Sequence, residues 1–143
     1  MKIAIGSDHA GFKLKETIVS YLEGKDYDII DKGTYSEEST DYPEFGHAVA
    51  NSVMKGEVKI GVLICGTANG VAMTANKHVG IRCAICWEKE VSELARAHNN
   101  ANIVALPARF ISEDTAKEIV DIFLNTEFEG GRHLRRVEKI GII

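Results

Sequence analysis

The sequence predicts a Rossmann-like fold, a three-layer α/β/α sandwich around a parallel sheet of about five strands. Short apolar runs alternate with longer segments of helical period along the chain, and alternation at this spacing requires crossover connections between parallel strands. The apolar runs are continuous and lack polar alternation, as in a sheet that is covered on both faces. We therefore expect helices on both faces and a ligand site where the strands end.

Five apolar runs predict the strands, and apolar residues spaced three and four apart predict the helices between them. The strands are expected at 3–5, 27–30, 61–64, 81–85 and 102–106. The helices are expected around 14–22, 45–53, 72–77, 91–98 and 116–124.

The segment from Glu129 onwards differs from the rest of the chain. Two glycines interrupt it, and a short basic helix is predicted from about 131. Its apolar face would comprise Leu134, Val137 and Ile140. We expect that face to dock on its own domain or on a neighbouring subunit.

Length and composition bound the class of protein. The chain has 143 residues, enough for a single domain spanning 1–143. Hydrophobic residues make up 45% and charged residues 27%, which excludes a disordered or coiled-coil protein. The net charge of −4, without a block of basic residues, argues against nucleic acid as a partner. We expect a small-molecule ligand.

The apolar segments and the cysteines indicate the compartment. The apolar run at 3–5 is too short for a signal peptide, and the longest one, 60–65, is far shorter than the ~20 residues of a membrane span. Three cysteines cannot all pair within one chain. A cytoplasmic protein with reduced thiols and no membrane partner is the expectation.

The first candidate site follows the first strand, where Asp8 and His9 stand side by side before a helix. The glycine spacing is reminiscent of a phosphate loop, but Phe12 follows Gly11 where a nucleotide triphosphatase needs Lys and Ser or Thr. That motif is rejected. Asp8 or Ser7 either caps the helix or contributes to a site, and the sequence leaves both possibilities open.

The second and richer candidate is the loop at 65–71, Cys-Gly-Thr-Ala-Asn-Gly-Val, which follows the third strand. Glycines allow backbone N–H groups to converge on an oxyanion, and the next helix adds the positive end of its dipole. The same field would lower the pKa of Cys65 from about 8.5. Cys65 is therefore a candidate base or nucleophile, with a buried structural thiol as the alternative.

Other residues near predicted element ends are weaker candidates. His98 ends a series with Val91, Leu94 and Ala95 that predicts an inward position near a helix end, either in the core or in a site. Arg109 follows the fifth strand on the ligand side. Arg132 and Arg136 lie one helical turn apart, either as a fork for a phosphate or as a solvated helix face.

Two other pairs are predicted to have no role in a site. Cys83 and Cys86 fall in a predicted strand, where positions three apart point to opposite faces, so they are interpreted as core thiols and not as a metal or redox motif. His47 and His78 are assigned to the surface.

Taken together, these segments resemble the type B ribose-5-phosphate isomerases over nearly the whole chain. The segments are 6–11, 31–34, 40–43, 65–67, 75–77, 80–82, 98–102 and 129–133. That family, which includes galactose-6-phosphate and allose-6-phosphate isomerases, interconverts aldose and ketose phosphates without a metal or cofactor. The resemblance implies a Rossmann-like homodimer, with a tetramer as a further possibility, that acts in the pentose phosphate pathway.

The resemblance also implies roles for individual residues. Cys65 corresponds to the base that moves a proton between C1 and C2, Thr67 and His98 to ring-opening positions, and Asp8 to a position near the sugar hydroxyls. The loop of Gly66, Ala68, Asn69 and Gly70 corresponds to the anion hole for the enediolate, and Tyr42 lines the sugar pocket. The phosphate positions are His9, Arg132 and Arg136, with Arg109 reaching in from the partner subunit. His98 and Asn99 would also serve the neighbour's site.

Two departures from the family pattern bear on the mechanism. Ala68 stands where the family usually has Gly, so a position that tolerates any torsion has gained a Cβ atom. A second branch of the family replaces the cysteine with serine and uses a glutamate just after the loop, but here that position is Val71. The cysteine mechanism is the consistent one.

Three alternatives to a ribose-5-phosphate isomerase are weighed. A cysteine phosphatase would need Arg where this loop has Val71, so it lacks the phosphate clamp. A non-catalytic sugar-phosphate-binding protein has no evident need for a thiol in an anion loop. An isomerase of allose 6-phosphate or galactose 6-phosphate differs only in the pocket wall, and ribose 5-phosphate is preferred because galactose-specific members typically pair two different subunits.

Overall fold

The computed structural model describes residues 1–141 and contains the predicted parallel sheet. The last two residues of the predicted domain, 142 and 143, lie outside the described residues. The strands are β1 (Lys2–Ser7), β2 (Asp28–Asp31), β3 (Ile60–Cys65), β4 (Cys83–Ile85) and β5 (Ile103–Pro107), in the order β2-β1-β3-β5-β4. All four pairings are parallel.

Helices cover both faces of the sheet, as predicted. They are α1 (Phe12–Glu23), α2 (Tyr42–Met54), α3 (Asn69–Ala75), α4 (Lys89–Ala97), α5 (Glu113–Asn125) and α6 (Arg132–Glu138), and a 3₁₀ turn at His9–Gly11 precedes α1. Helices α1, α4 and α5 enclose one core, and α2 and α3 enclose the other. Along β3 the side chains alternate, with Val62 and Ile64 in the first core and Leu63 and Cys65 in the second.

The close approach of the first loop to the sheet depends on Gly11. A Cβ atom at Gly11 would lie 2.8 Å from the carbonyl oxygen of Ile64. Only glycine therefore allows the start of α1 to rest on the end of β3. This contact places the residues after β1 beside the residues after β3.

Strand β4 is shorter than predicted, because 81–82 lie outside the ladder. The backbone N–H of Arg82 donates to Oδ1 of Asn102 at 2.8 Å, so a side chain replaces a neighbouring strand there. Cys83 packs against the second core and Cys86 lies in the first. The prediction of thiols on opposite faces is confirmed, and burial raises the pKa of Cys86 to about 12.

Two predictions about helix faces were wrong or incomplete. Leu94 was expected to point inward, but it is 48% exposed, since α4 buries Ser92 and Ala95 instead. Leu134 on α6 and Ile140 just after it are about half exposed, so the face predicted to dock is only partly covered within this chain. Across residues 1–141, no helix is both long enough and apolar enough to cross a membrane.

Candidate functional site

The first group of candidate residues lies at the carboxyl edge of the sheet. Asp8 and His9 follow β1, the loop 65–70 follows β3, and Arg109 follows β5. Because these three strands are adjacent and parallel, their ends deliver all of these side chains to one edge. We call Asp8, His9, Tyr42, residues 65–70 and Arg109 the Cys65 half-site.

Asp8 is a capping residue, which is one of the two possibilities that the sequence left open. Its Oδ1 accepts a hydrogen bond of 3.0 Å from the Gly11 backbone N–H, and the residue is only 7% exposed. Ser7 does not cap, since its buried hydroxyl has no partner within the described residues. The cap fixes the turn that carries His9.

The orientation of His9 is set by Thr40. The backbone N–H of Thr40 donates to Nδ1 of His9 at 3.1 Å, and the His9 backbone N–H donates to Thr40 Oγ1 at 3.1 Å. Since Nδ1 is the acceptor, the neutral ring carries its proton on Nε2. That arrangement leaves a ring N–H free to donate to an anionic ligand.

The loop after β3 presents backbone donors beside a buried thiol. Cys65 is 4% exposed, and Asn69 N–H donates to Thr67 Oγ1 at 3.3 Å. Within residues 1–141, the backbone N–H groups of Thr67 and Ala68 have no protein acceptor. The first N–H groups of α3 also lack acceptors within that helix. The loop is therefore suited to hold an oxyanion next to Cys65.

Ala68 occupies the left-handed region of backbone space. Its φ is +66° and its ψ is −12°, and its side chain is fully buried. A residue with a Cβ atom is disfavoured there. The alanine that replaces the usual glycine of the family therefore lies at a position with a glycine-like backbone. The loop adopts that conformation despite the Cβ atom.

Two side chains pack directly on glycines of this loop. A Cβ atom at Gly70 would lie 2.6 Å from the ring of Tyr42, and one at Gly66 would lie 3.1 Å from Nη1 of Arg109. Tyr42 therefore stacks on the start of α3. The resemblance assigns Arg109 to the site of a partner subunit; in this chain its guanidinium lies against Gly66 of the same subunit.

The second group of candidates lies at the amino edge of the sheet. His98 is the C-cap of α4, Asn99 follows it, and Arg132 and Arg136 are exposed on α6. We call these four residues the His98 half-site. Their elements are joined by a hydrogen bond of 3.0 Å from the Glu129 backbone N–H to Ala97 O.

The two half-sites are on opposite edges of the same sheet. Asn102, which follows α4, lies at the start of β3, where the Gly61 backbone N–H donates to Asn102 O at 2.9 Å. The other end of β3 carries Cys65, and four residue steps of about 3.3 Å separate the two ends by roughly 13 Å of sheet. Within one chain, His98 cannot be adjacent to Cys65.

His98 is part of a side-chain cluster that the sequence interpretation did not assign. Its ring stacks on that of His133, with centroids 4.1 Å apart and planes inclined by 11°. Nε2 of each ring lies near Oε2 of Glu129, at 3.6 Å from His98 and 3.5 Å from His133. His98 is 36% exposed and so is neither in the core nor free in solvent. The spacing of Glu129 and His133, four residues apart, was the only sequence signal.

His47 and His78 were assigned to the surface, and His47 is exposed while His78 is half-buried. They also form a pair that the sequence did not predict, with Nδ1 of His47 and Nε2 of His78 2.7 Å apart. Burial, and then the charge of His47, lower the pKa of His78. The pair joins α2 to the turn after α3, and His78 lines one pocket with Asn99 of the His98 half-site.

Comparison with known proteins identifies close relatives. A model of the family described as Ribose/Galactose Isomerase matches residues 3–140. The chain is 48% identical over 142 residues to ribose-5-phosphate isomerase B of Escherichia coli (strain K12), an alignment that covers 99% of this chain and 95% of that protein.

Solved structures give the same result. The ribose 5-phosphate isomerase of Thermotoga maritima superposes with a TM-score of 0.98 at 51% identity, covering 99% of this chain and 98% of that one. Ribose-5-phosphate isomerase B of Mycoplasma genitalium, solved with bound ribulose-5-phosphate, superposes with a TM-score of 0.93 at 44% identity, covering 97% and 93%. These similarities extend over both half-sites.

Proposed function

The chain belongs to the ribose/galactose isomerase family and is an isomerase, and we propose that it interconverts ribose 5-phosphate and ribulose 5-phosphate. The observation that carries the proposal is the Cys65 loop, a buried thiol beside unpaired backbone donors, in a fold that superposes on a relative holding ribulose-5-phosphate. A cytoplasmic location is part of the proposal, since an ionised sugar phosphate does not cross a bilayer unaided.

In the proposed reaction, the Cys65 thiolate removes the proton from C2 of the open-chain aldose. The electron pair of that C–H bond forms a C1=C2 double bond, and the carbonyl electrons move to O1 as an enediolate. Return of the proton to C1, with the hydroxyl proton moving from O2 to O1, gives the ketose. The unpaired N–H groups of Thr67 and Ala68 stabilise the charge on the enediolate oxygen.

The phosphate of the substrate would be held by donors from both half-sites. His9 presents its Nε2 proton because Thr40 occupies Nδ1, and Arg109 lies beside Gly66. Arg132 and Arg136 provide a fork one helical turn apart on α6. A fixed phosphate would keep C1 and C2 in register with the thiol.

The separation of the half-sites supports a shared site in a homodimer. His98, Asn99, Arg132 and Arg136 lie at the edge of the sheet opposite Cys65, so they can act on the same sugar only if a second copy supplies them. Thr67 would open the furanose ring together with the partner's His98. The half-exposed Leu134 of α6 and Ile140 just after it are available to pack in such an assembly.

A hexose phosphate is the second candidate substrate, since the matched family model is described as ribose/galactose. Allose 6-phosphate and galactose 6-phosphate are one hydroxymethyl unit longer than ribose 5-phosphate. They would undergo the same proton transfer at C1 and C2. Only the wall of the sugar pocket, where Tyr42 packs on Gly70, would need to accommodate them.

The proposal is tested by measuring turnover of ribose 5-phosphate, allose 6-phosphate and galactose 6-phosphate by the purified chain with chelator present. We expect efficient conversion of the pentose and its loss in Cys65→Ala. Turnover of a hexose phosphate alone would correct the substrate and leave the mechanism. No turnover of any of the three would favour a sugar-phosphate-binding protein instead.

A further inference from the structure

The cluster of His98, Glu129 and His133 brings three metal-ligating side chains together. One ligand atom from each residue lies within 4.8 Å of the others. The carboxylate lies at the edge of the two stacked rings, with its Oε2 3.6 Å and 3.5 Å from their Nε2 atoms. Nothing in the proposed isomerisation uses Glu129 or His133 as a group that touches the sugar.

The donor set and its dimensions match one class of metal ion. Two imidazole nitrogens and a carboxylate oxygen suit Zn²⁺, whereas Mg²⁺ and Ca²⁺ prefer oxygen ligands alone. In a tetrahedral site with bonds of about 2.1 Å, neighbouring ligand atoms are roughly 3.4 Å apart. The observed nitrogen to oxygen distances of 3.5 and 3.6 Å are close to that value.

The cluster is largely assembled before any ion binds. Glu129 is joined to the end of α4 by its backbone bond to Ala97 O, and His133 N–H donates to Gly130 O at 3.0 Å. The stacked rings are nearly parallel, so one of them must turn for both lone pairs to meet a single ion. His98 is 36% exposed and is the ring with space to do so.

The charges around the cluster both oppose and favour a bound cation. Arg132 and Arg136 repel a cation, but both are exposed, so solvent and salt screen that repulsion. The carboxylate of Glu129 offsets part of the charge of the ion.

We propose that His98, Glu129 and His133 form an inhibitory site for one Zn²⁺ ion per chain. The site has three protein ligands and an open fourth position for water. The inhibition rests on the proposed function: an ion bound to His98 would withdraw that ring from the neighbouring site where it opens the sugar. The enzyme itself would need no metal, and the ion would act as an inhibitor of the assembled dimer.

The test is calorimetric titration of the EDTA-dialysed chain with ZnCl₂ at pH 7.5, with MgCl₂ as the comparison ion. The measurement is made in a Cys65→Ser background, so that this thiol cannot bind the ion. Cys83 and Cys86 cannot bind one ion together, because they lie on opposite faces of the sheet in different cores. We expect one Zn²⁺ per chain and no heat from Mg²⁺.

Matched variants locate the ion. His133→Gln and Glu129→Gln should each weaken Zn²⁺ binding by roughly tenfold or more, since loss of even an outer-shell partner costs about 10- to 100-fold. His47→Gln, in the other histidine pair, should leave the affinity unchanged. Equal affinity in His133→Gln and the parent, or no binding of Zn²⁺ to the parent, would overturn the site.

The inhibitory role is read separately, as the rate of each chain with Zn²⁺ divided by its own rate with EDTA. The chain with native Cys65 should lose activity over the same Zn²⁺ range that fills the site and recover it with EDTA, while His133→Gln should resist. Binding without inhibition would remove the inhibitory role. Binding by a chain that turns over no sugar phosphate would leave the metal site standing and defeat the proposed function.

Discussion

The two half-sites of this chain are built in different ways. The Cys65 half-site rests on the sheet: Cys65, Asp8 and Ala68 are all buried, and its side chains touch backbone. The His98 half-site rests on helix ends, and Asn99, Arg132 and Arg136 project into solvent. The group proposed to transfer the proton is thus held rigidly, whereas the α6 arginines proposed to bind phosphate would gain their surroundings from a partner and the substrate.

The largest expected effect is the loss of the thiol. Cys65→Ser should reduce kcat by roughly 10²- to 10⁴-fold, the range of a general base, because a hydroxyl is a far weaker base at neutral pH. Binding of inorganic phosphate, measured by calorimetry, should change little, since His9 and the arginines, and not the thiol, are proposed to hold it. Equal loss of turnover and of phosphate binding would show that the residue supports the loop and is not the base.

Complementation between inactive chains tests whether the half-sites belong to different subunits. Cys65→Ala and His98→Asn chains, refolded together in equal amounts, should recover about a quarter of wild-type activity, because half of the dimers would be mixed and each would hold one intact site. If both residues acted within one chain, every site would carry a defect. The mixture would then be no more active than its components.

The arginine fork should affect binding more than chemistry. Arg132→Ala and Arg136→Ala should each raise KM about tenfold or more, since a charge-assisted hydrogen bond contributes roughly 1.5–3 kcal/mol. A smaller change in kcat is expected, and Arg135→Ala, on the same helix, serves as the matched control. Unchanged KM in both fork variants would remove α6 from the phosphate site.

Much of this arrangement was predictable from the sequence. The parallel sheet, its helices and the opposite faces of Cys83 and Cys86 follow from local patterns, and a cap at Asp8 was one of the possibilities that those patterns left open. The prediction for Leu94 was wrong because helical spacing shows which residues share a face but not which face packs on the core. The late start of β4, at Cys83, depends on the side chain of Asn102, which lies twenty residues after Arg82 and which no local pattern reveals.

The cluster around Glu129 was missed for a similar reason. His98 and His133 are far apart in sequence, and the bond from Glu129 N–H to Ala97 O, with the stacking of the two rings, brings α4 and α6 together. The position of His98 at the amino edge could have been foreseen, since a helix that follows a parallel strand returns to the opposite edge. The separation of His98 from Cys65 within one chain was therefore predictable from the strand and helix order alone.

Gly70→Ala tests the packing of the Cys65 half-site with a smaller effect. The added Cβ would lie 2.6 Å from the Tyr42 ring, so the ring or the start of α3 must shift. We expect a loss of about 1–3 kcal/mol in the free energy of unfolding, the usual cost of overpacking, measured by urea denaturation. No loss would mean that Tyr42 moves freely, and the half-site would not be rigid there.

Ala68→Gly should have the smallest effect, because opposing contributions nearly cancel. Glycine relieves roughly 1–2 kcal/mol of left-handed strain at this φ of +66°. It also gives the unfolded chain about 0.4–1 kcal/mol of added freedom and removes a buried methyl group worth about 0.8 kcal/mol. The free energy of unfolding should therefore change by less than about 1 kcal/mol. A larger gain would show that the alanine strains the loop, and a larger loss that its methyl group holds the loop in place beside Cys65.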